Sequence, residues 1–438
     1  MKIVQINTFP YKATGAIMLG IHQLLIKDEN ESVVVWGRGR DSENDSEIVI
    51  KDELGVKIHG LYTRLTDKTG FASKHATRKL IAQLEIIKPD IIHLHNIHGY
   101  YLNIEMLFEF IKTYDIKVVW TLHDCWPMTG HCAYFDMVGC QKWKTGCNHC
   151  VQKSAYPTSK FLDSSKWNWN TKKKLFTGMN AVIVTPSRWL ENIVKQSFMK
   201  NYPVAVIHNG IDTEIYKPRN NEKLKNKYAP GGEPIVLGVA SEWTERKGLI
   251  DFIHLAQENP DIKFIVVGVT QEQKKKLPME LTGICRTNNV NELVELYSSA
   301  DVFFNPTYED NFPTTNLEAL ACGTPVVTYD TGGSPEVIEE ALKDYGIVIG
   351  AIVKKETSQQ VNLKKVIEEI RKMIALVKIP VVNKEGNDSS DNLEGESQII
   401  SLAKGKSSLR EKCRSVALEY GKAKRLVQYI ELYKELIS

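Results

Sequence analysis

The sequence contains no apolar run approaching the ~18–20 residues that a membrane-spanning helix needs. Its strongest short run is Phe264-Ile265-Val266-Val267-Gly268-Val269. It carries almost no excess of one charge, +3 over 438 residues, which excludes a nucleic-acid binder driven by bulk charge. Glycine (28) and proline (16) are too sparse for a collagenous or low-complexity chain. Eight cysteines in a chain this long do not make a disulfide scaffold. Thr8–Gly15, TFPYKATG, lacks the Gly-x-Gly-x-x-Gly turn that a dinucleotide oxidoreductase needs after its first strand. The opening MKIVQINTF reads as a strand with no small-residue cleavage site, so no signal peptide and a cytoplasmic location are expected.

What is present is ordinary globular composition, 42% hydrophobic and 25% charged, at a length that suits two domains. Expected strands Lys2–Asn7, Ser32–Trp36, Asp90–His95, Lys117–His123, Ala181–Thr185 and Val204–His208 alternate with expected helices Ile17–Asp28, Thr77–Ile87, Ile104–Tyr114 and Trp189–Phe198. A polar stretch, Pro218–Glu233, reads as a linker, and the rhythm restarts. Strands are expected at Ile235–Ala240, Lys263–Gly268, Asp301–Asn305 and Pro325–Tyr329, with helices at Leu249–Glu258, Val290–Ser299, Thr315–Leu320 and Pro335–Glu340. This order predicts an α/β fold of two doubly wound Rossmann-like domains facing a cleft, with ligands at the carboxyl ends of the strands. The expected domains are 1–217 and 218–420, with a C-terminal helix over 421–438 packing back on the first. Cys125–Thr171 is too long and irregular for a normal connection and reads as a Cys-rich insertion. Asn383–Gln398, polar and acidic, reads as a disordered loop.

Charge and tryptophan are unevenly spread. Residues 141–200 carry a net +9, leaving −6 elsewhere, and six of the eight Trp lie between 120 and 189. Trp167-Asn168-Trp169 followed by Lys172-Lys173-Lys174 fits a surface for anionic lipid headgroups, or a solvated basic face with buried Trp. Cys132-x7-Cys140-x6-Cys147-x2-Cys150 places four thiols in the insertion, which suits a structural zinc, two disulfides or free buried thiols.

Three strand ends of the second half could face one anionic ligand. In YEDNFPTTNLEALACGTP, Asp310 sits in a loop and Glu318 on the following helix, while the backbone near Phe312, Pro313 and Thr314 opens a helix N-terminus. In GVASEWTERKG, Arg246 and Lys247 supply cations. In TGGSPE, Gly332 and Gly333 allow close backbone approach before Glu336. In the first half, His123 ends a strand and precedes Asp124 and Pro127, which favours a functional role over a structural one. His93, His95 and His98 lack an accompanying carboxylate or cysteine and read as cleft lining rather than a metal site.

These motifs resemble glycosyltransferase family 4, retaining enzymes of GT-B fold. The family's E-x7-E pattern is matched by Asp310-x7-Glu318, its GG-x-PE element by Gly332 to Glu336, and its VxPNGID segment by Val206–Asp212. TPSRWL (Thr185–Leu190) and the TxHDxxP element, TLHDCWP at Thr121–Pro127, complete the likeness, which extends to bacterial capsule and exopolysaccharide transferases of the colanic-acid type. The resemblance implies a hexosyl transfer from a UDP- or GDP-sugar to a glycan or lipid-linked glycan, without a catalytic metal, by a protein that is peripheral on the membrane. It implies that Glu318 holds the ribose, Asp310 the donor sugar and Lys247 the diphosphate. It further implies that Gly15 lets the backbone approach the phosphates and that His123 lies where donor meets acceptor. Two departures stand out: the first acidic position is Asp, and the family's usual Arg is Glu242, with Arg246 the candidate replacement. They leave a non-catalytic nucleotide-sugar-binding protein as the alternative.

Overall fold

The structure, a computed structural model, describes residues 1–50, 52–220, 222–379 and 407–438. It divides into two compact units, Met1–His208 with Arg425–Ser438, and Asn209–Lys424. The expected loop at Asn383–Gln398 lies outside the described residues.

In the first unit, strands β1 (Lys2–Asn7), β2 (Glu31–Trp36), β3 (Glu47–Val49), β4 (Ile91–Leu94), β5 (Lys117–Thr121), β6 (Ala181–Thr185) and β7 (Val204–Val206) form one parallel sheet, ordered β3-β2-β1-β4-β5-β6-β7. Their connections carry helices α1 (Lys12–Lys27), α2 (Glu53–Thr66), α3 (Lys74–Ile87), α4 (Ile104–Thr113), α5 (Ser165–Phe176) and α6 (Arg188–Gln196). Strands such as Ile91–Leu94 and Ala181–Thr185 are buried throughout, because helices cover both faces of the sheet. The winding reverses between β1 and β4.

The second unit repeats the plan. Helix α7 (Glu222–Tyr228) precedes strand β8 (Ile235–Val239); α8 (Leu249–Glu258), β9 (Lys263–Val267), α9 (Gln271–Lys276), β10 (Leu281–Ile284), α10 (Val290–Ser299), β11 (Val302–Asn305), α11 (Thr314–Ala321), β12 (Val326–Tyr329), α12 (Glu336–Tyr345), β13 (Gly350–Val353), α13 (Gln359–Val377) and α14 (Leu409–Glu419) follow. The strands run parallel in the order β10-β9-β8-β11-β12-β13, reversing between β8 and β11. The last helix, α15 (Lys422–Ile437), gives its residues from Arg425 onward to the first unit. There Leu426, Tyr429, Ile430 and Tyr433 pack with Ile3, Ile91, Val119 and Val184.

Three expectations change. The stretch Pro218–Glu233 is not a bare linker, because α7 sets Leu224 and Tyr228 against the second core. The helix is short and buries no residue fully, so its periodicity is faint. The insertion is not irregular throughout, since α5 begins at Ser165. Nor does Trp167–Lys174 make one exposed face. Trp169 and Asn168 are buried, and Lys172 is 1% exposed, its ammonium donating to the carbonyls of Trp126 (2.8 Å) and Thr129 (3.1 Å). Helical spacing turns these side chains inward and leaves Trp167 outside.

Replacing Ile430 by Ala should cost about 2–5 kcal/mol, since it opens a cavity in a packed core. Val427, 44% exposed on the same helix, should tolerate Ala within about 0.5 kcal/mol. Thermal unfolding of the two variants side by side checks the packing of α15.

Candidate active site

In a doubly wound sheet, the loops leaving the two strands at the reversal point turn to opposite faces and leave an open crevice. In the second unit these are the loops after β8 and β11. Trp243 anchors the first, its indole N–H donating to the carbonyl of Val267 at 2.8 Å. A single helical turn, Glu245–Lys247, then ends at Gly248 with φ +73°; a Cβ there would stand 2.4 Å from the Pro306 carbonyl oxygen, so the two loops touch only because this residue is glycine. They are also stitched by hydrogen bonds. The Tyr308 amide donates to the Arg246 carbonyl at 2.7 Å, and the Arg246 guanidinium donates to the Glu309 carbonyl at 2.8 Å.

This stitching brings Lys247 and Asp310 into an ion pair, each side chain 19% exposed. Burial pushes the Asp310 carboxyl up, but the Lys247 charge and hydrogen bond, with Arg246 and the Phe312 amide, outweigh it and hold it below its ordinary value. The Asp310 carbonyl oxygen accepts from the Gly333 amide at 2.9 Å, and it would stand 2.0 Å from a Cβ on Gly332, whose φ is +58°. The Gly-Gly turn therefore fixes the backbone of the acidic loop. Glu336, buried, opens α12 just beyond it.

Helix α11 starts after Phe312 and Pro313 with no side-chain cap. Among the described residues the amides of Thr314 and Thr315 find no acceptor, which leaves donors open at a helix N-terminus. One turn on, Glu318 accepts from the Tyr297 hydroxyl at 2.8 Å. Burial raises its pKa, opposed by hydrogen bonds from Tyr297, Tyr216 and Thr314. Sequence reasoning missed both tyrosines, which lie outside every motif. It also missed Asp251, a buried carboxylate on α8 that accepts from Tyr308, Tyr329 and Gln359 at 2.8–3.0 Å and fixes the loop after β11; no local pattern marks it.

In the first unit, the strand ends gather histidines. His123 Nε2 lies 3.1 Å from His95 Nδ1 with stacked rings. His93 is held by the hydroxyls of Tyr433 (2.6 Å) and Thr121 (2.8 Å). Burial lowers His123 to about 4, against the Asp124 charge, which raises it, and pushes His93 and His95 well below their ordinary values. These rings are neutral at pH 7, so His123 can accept a proton only weakly. His98 pairs instead with Asp124 at 2.8 Å. Gly15 lies in the first turn of α1, where a Cβ would meet the backbone of Phe9 and Pro10 at 2.5–2.8 Å; its immediate need is packing within its own loop. A cavity of about 610 Å³, lined among others by Arg38, Asp41, Asp52, Glu53 and Lys57, opens beyond β2.

In the insertion all four cysteines are free. Cys132 and Cys150 share a hydrogen bond, which together with burial raises Cys132 and, against burial, brings Cys150 down to about 7. Cys147 accepts from the Gly130 amide at 3.2 Å, and burial pushes its thiol up to about 11. Among the described residues, no three of these sulfurs lie mutually within 4.8 Å.

Residues 21–215 match the family model described as Glycosyltransferase Family 4, and residues 220–373 match that described as Glycosyl transferases group 1. The chain carries a Glycosyltransferase Family 4 domain followed by a Glycosyl transferases group 1 domain. It is 26% identical, over 78% of its own length and 86% of the relative's, to the Putative colanic acid biosynthesis glycosyl transferase WcaC of Escherichia coli strain K12. It is 30% identical to the Processive diacylglycerol alpha-glucosyltransferase of Acholeplasma laidlawii over 35% of this chain and 49% of that one. Sucrose-phosphate synthase from Thermosynechococcus elongatus superposes with a TM-score of 0.67 at 14% identity, covering 100% of this chain and 99% of that chain. Anabaena Alr3699/HepE in complex with UDP-glucose superposes with a TM-score of 0.57 at 14% identity, over 99% and 100% of the two chains. At such identities the likeness is one of fold, and the fold is GT-B.

Histidines held neutral in the folded state but ordinary in the unfolded chain make the unfolded chain bind more protons below about pH 6.5. Stability should therefore fall as pH drops from about 6.5 to about 4, the window set by His59 and His123. Denaturant midpoints measured across that range should decline steadily, and more shallowly in a His59→Gln variant.

Proposed function

We propose that the protein is a retaining hexosyltransferase that moves a sugar from a nucleoside-diphosphate donor to a hydroxyl of a capsular or exopolysaccharide glycan. The observation that carries this reading is the Lys247–Asp310 ion pair beside the uncapped start of α11. A diphosphate placed there would compete with Asp310 for the Lys247 ammonium and take the open amides of Thr314 and Thr315. Asp310 would then be released toward the hydroxyls of the transferred sugar. Glu318 would accept from the ribose hydroxyls, with Tyr297 and Tyr216 holding its carboxylate in place. The UDP-glucose bound to the Anabaena neighbour and the colanic-acid label of the E. coli relative support the donor and the product class.

The chemistry follows from where charge develops. As the bond from the anomeric carbon to the diphosphate oxygen breaks, positive charge grows on the sugar ring and negative charge on the leaving phosphate. Lys247, Arg246 and the α11 amides would stabilise the leaving group, supplying the positive charge without a divalent ion. The acceptor oxygen attacks from the face the phosphate leaves, and its proton passes to the leaving phosphate oxygen, so the anomeric configuration is kept. His123, neutral and tied to His95, would donate or accept a hydrogen bond rather than act as a strong base. The cavity beyond β2 suits a polar acceptor, since three carboxylates and two cations line it.

Calorimetric titration with UDP and GDP, then NMR of the product, tests this reading. Glu318→Ala should weaken nucleotide binding about 10- to 100-fold, as expected for a lost charged hydrogen bond. Lys247→Ala should lower kcat by about 10²–10³. Nucleotide binding without transfer to any glycan would favour the non-catalytic alternative, and inversion at the anomeric carbon would end the retaining mechanism.

The insertion has a separate role in this reading: Cys132, Cys140, Cys147 and Cys150 hold a structural zinc. Zinc would draw the four sulfurs together from their present spacing and leave them as thiolates. Cys147 already accepts an amide hydrogen bond. The buried Lys172 ammonium, which among the described residues has carbonyls rather than a carboxylate for partners, would balance the negative charge. Elemental analysis should find stoichiometric zinc that Cys150→Ser removes, with a lower Tm. Metal-free protein with paired cysteines in its peptide map would overturn the assignment.

A further inference from the structure

Strand β2 runs out into Gly37-Arg38-Gly39-Arg40, and the two arginines meet different surroundings. Arg40 is consumed within the protein. Its guanidinium donates to both carboxylate oxygens of Glu47, at 2.9 and 2.8 Å, and Glu43 lies 3.3 Å away. Arg38 has no such partner: among the described residues no carboxylate pairs with it. Its amide donates to the Thr8 carbonyl at 3.0 Å, and its guanidinium stands 5.0 Å from the centre of the Phe9 ring. The turn that carries it has little room to move. A Cβ on Gly37 would fall 2.0 Å from the Tyr101 ring, and one on Gly39, at φ +120°, would fall 2.7 Å from the Tyr11 ring. A half-buried cation on a fixed turn stays under-compensated until an anion arrives.

Arg38 lines the cavity of about 610 Å³ beyond β2, a size within the ~300–1,000 Å³ of small-molecule sites. The other cation of the lining, Lys57, is exposed on α2. Three carboxylates, Asp41, Asp52 and Glu53, share the lining, and Asp52 also caps α2 by accepting from the Gly55 amide at 2.8 Å. Tyr11, 45% exposed, stands against Gly39 and offers a ring face. Burial raises the Tyr100 and Tyr156 phenols, and the Arg38 charge is among those that draw them back. The Tyr156 hydroxyl donates to the His98 carbonyl at 2.9 Å, so the field of Arg38 reaches the strand ends where His98 pairs with Asp124.

We propose that Arg38 makes this cavity specific for a sugar carrying a single carboxylate, of the hexuronic acid class. The lining selects by charge count. A ligand with two or more negative charges, such as a diphosphate, would satisfy Arg38 and then face three carboxylates. A neutral sugar would give its hydroxyls to the carboxylates and leave Arg38 unpaired. A uronic acid meets both demands: its carboxylate matches the guanidinium fork, and its hydroxyls donate to Asp41, Asp52 or Glu53. The role of that sugar as glycosyl acceptor rests on the reading above, but its binding does not.

Saturation-transfer NMR on the full chain, with methyl glucuronide, methyl glucoside and glucose 6-phosphate as probes, tests the assignment. The glucuronide should bind at least about tenfold more tightly than the glucoside, as a charge-assisted bidentate contact provides. Glucose 6-phosphate, nearly doubly charged at neutral pH, should bind more weakly than the glucuronide. Arg38→Gln should bring the glucuronide down to the level of the glucoside. Arg38→Lys, which keeps the charge but not the fork, should restore part of the difference. Thermal unfolding checks that both variants fold, and the wild-type comparison decides alone if either does not. The proposal is overturned if the wild type binds glucuronide and glucoside equally or binds neither, if the phosphate binds as tightly as the glucuronide, or if folded Arg38→Gln keeps the preference. Calorimetry of the wild type with UDP and GDP reads the donor site separately. Nucleotide binding without a glucuronide preference ends this proposal alone, and a glucuronide preference without nucleotide binding ends the transferase reading and leaves the uronate site standing.

Discussion

Parallel strands need long connections, and each connection must cover one face of the sheet. Where the winding reverses, two neighbouring strands send their chains to opposite faces, and nothing covers the gap above their carboxyl ends. Both units are built around such a point, β1 beside β4 and β8 beside β11. Buried side chains with displaced titration stand at these ends: the histidines after β4 and β5, Asp310 after β11, and Glu318 on the helix that follows. The chemistry is placed by a rule of chain connectivity, and side-chain packing then refines it.

The refinement is electrostatic. Asp310 and Glu318 are both largely enclosed, and burial alone would raise both. Asp310 meets a cation and is held charged, whereas Glu318 meets hydroxyls and is raised. Two carboxylates eight residues apart thus differ in what they can do: one is bound to a movable positive charge, the other presents a hydrogen-bonding edge. The neutral histidines of the first unit extend the contrast, since their burial removes charge where the second unit concentrates it.

The sequence made the strands legible because most are continuous β-branched runs, and the boundaries of Lys2–Asn7, Ala181–Thr185, Leu249–Glu258 and Val290–Ser299 coincide with the observed elements. Elements with weak burial stayed hidden. The three-residue β3 has no fully buried residue, and α2 breaks the usual inside-outside pattern because its leucines point away from the core. At the candidate site, the motif residues Lys247, Asp310, Gly332 and Gly333 do converge in the second unit. Their supports, Tyr297, Tyr216 and Asp251, come from distant parts of the chain and carry no local signature. The choice between a lipid-facing surface and a solvated basic face with buried Trp could not be made from composition, which counts residues without knowing which way a helix turns them: Trp169 is buried, as the second has it, while Lys172 is buried against both.

The last helix has a consequence for how the protein is made. Its residues from Arg425 onward complete the core of the unit that contains Met1, and Tyr433 closes over His93 there. A ribosome therefore releases the whole sequence of the second unit before it releases the final piece of the first. The first-born sheet must wait with Ile3, Ile91 and Val119 uncovered on one face while the later unit already has all it needs to fold. Maturation order is the reverse of synthesis order, and nascent chains halted before Arg425 would pair a finished second unit with an unfinished first.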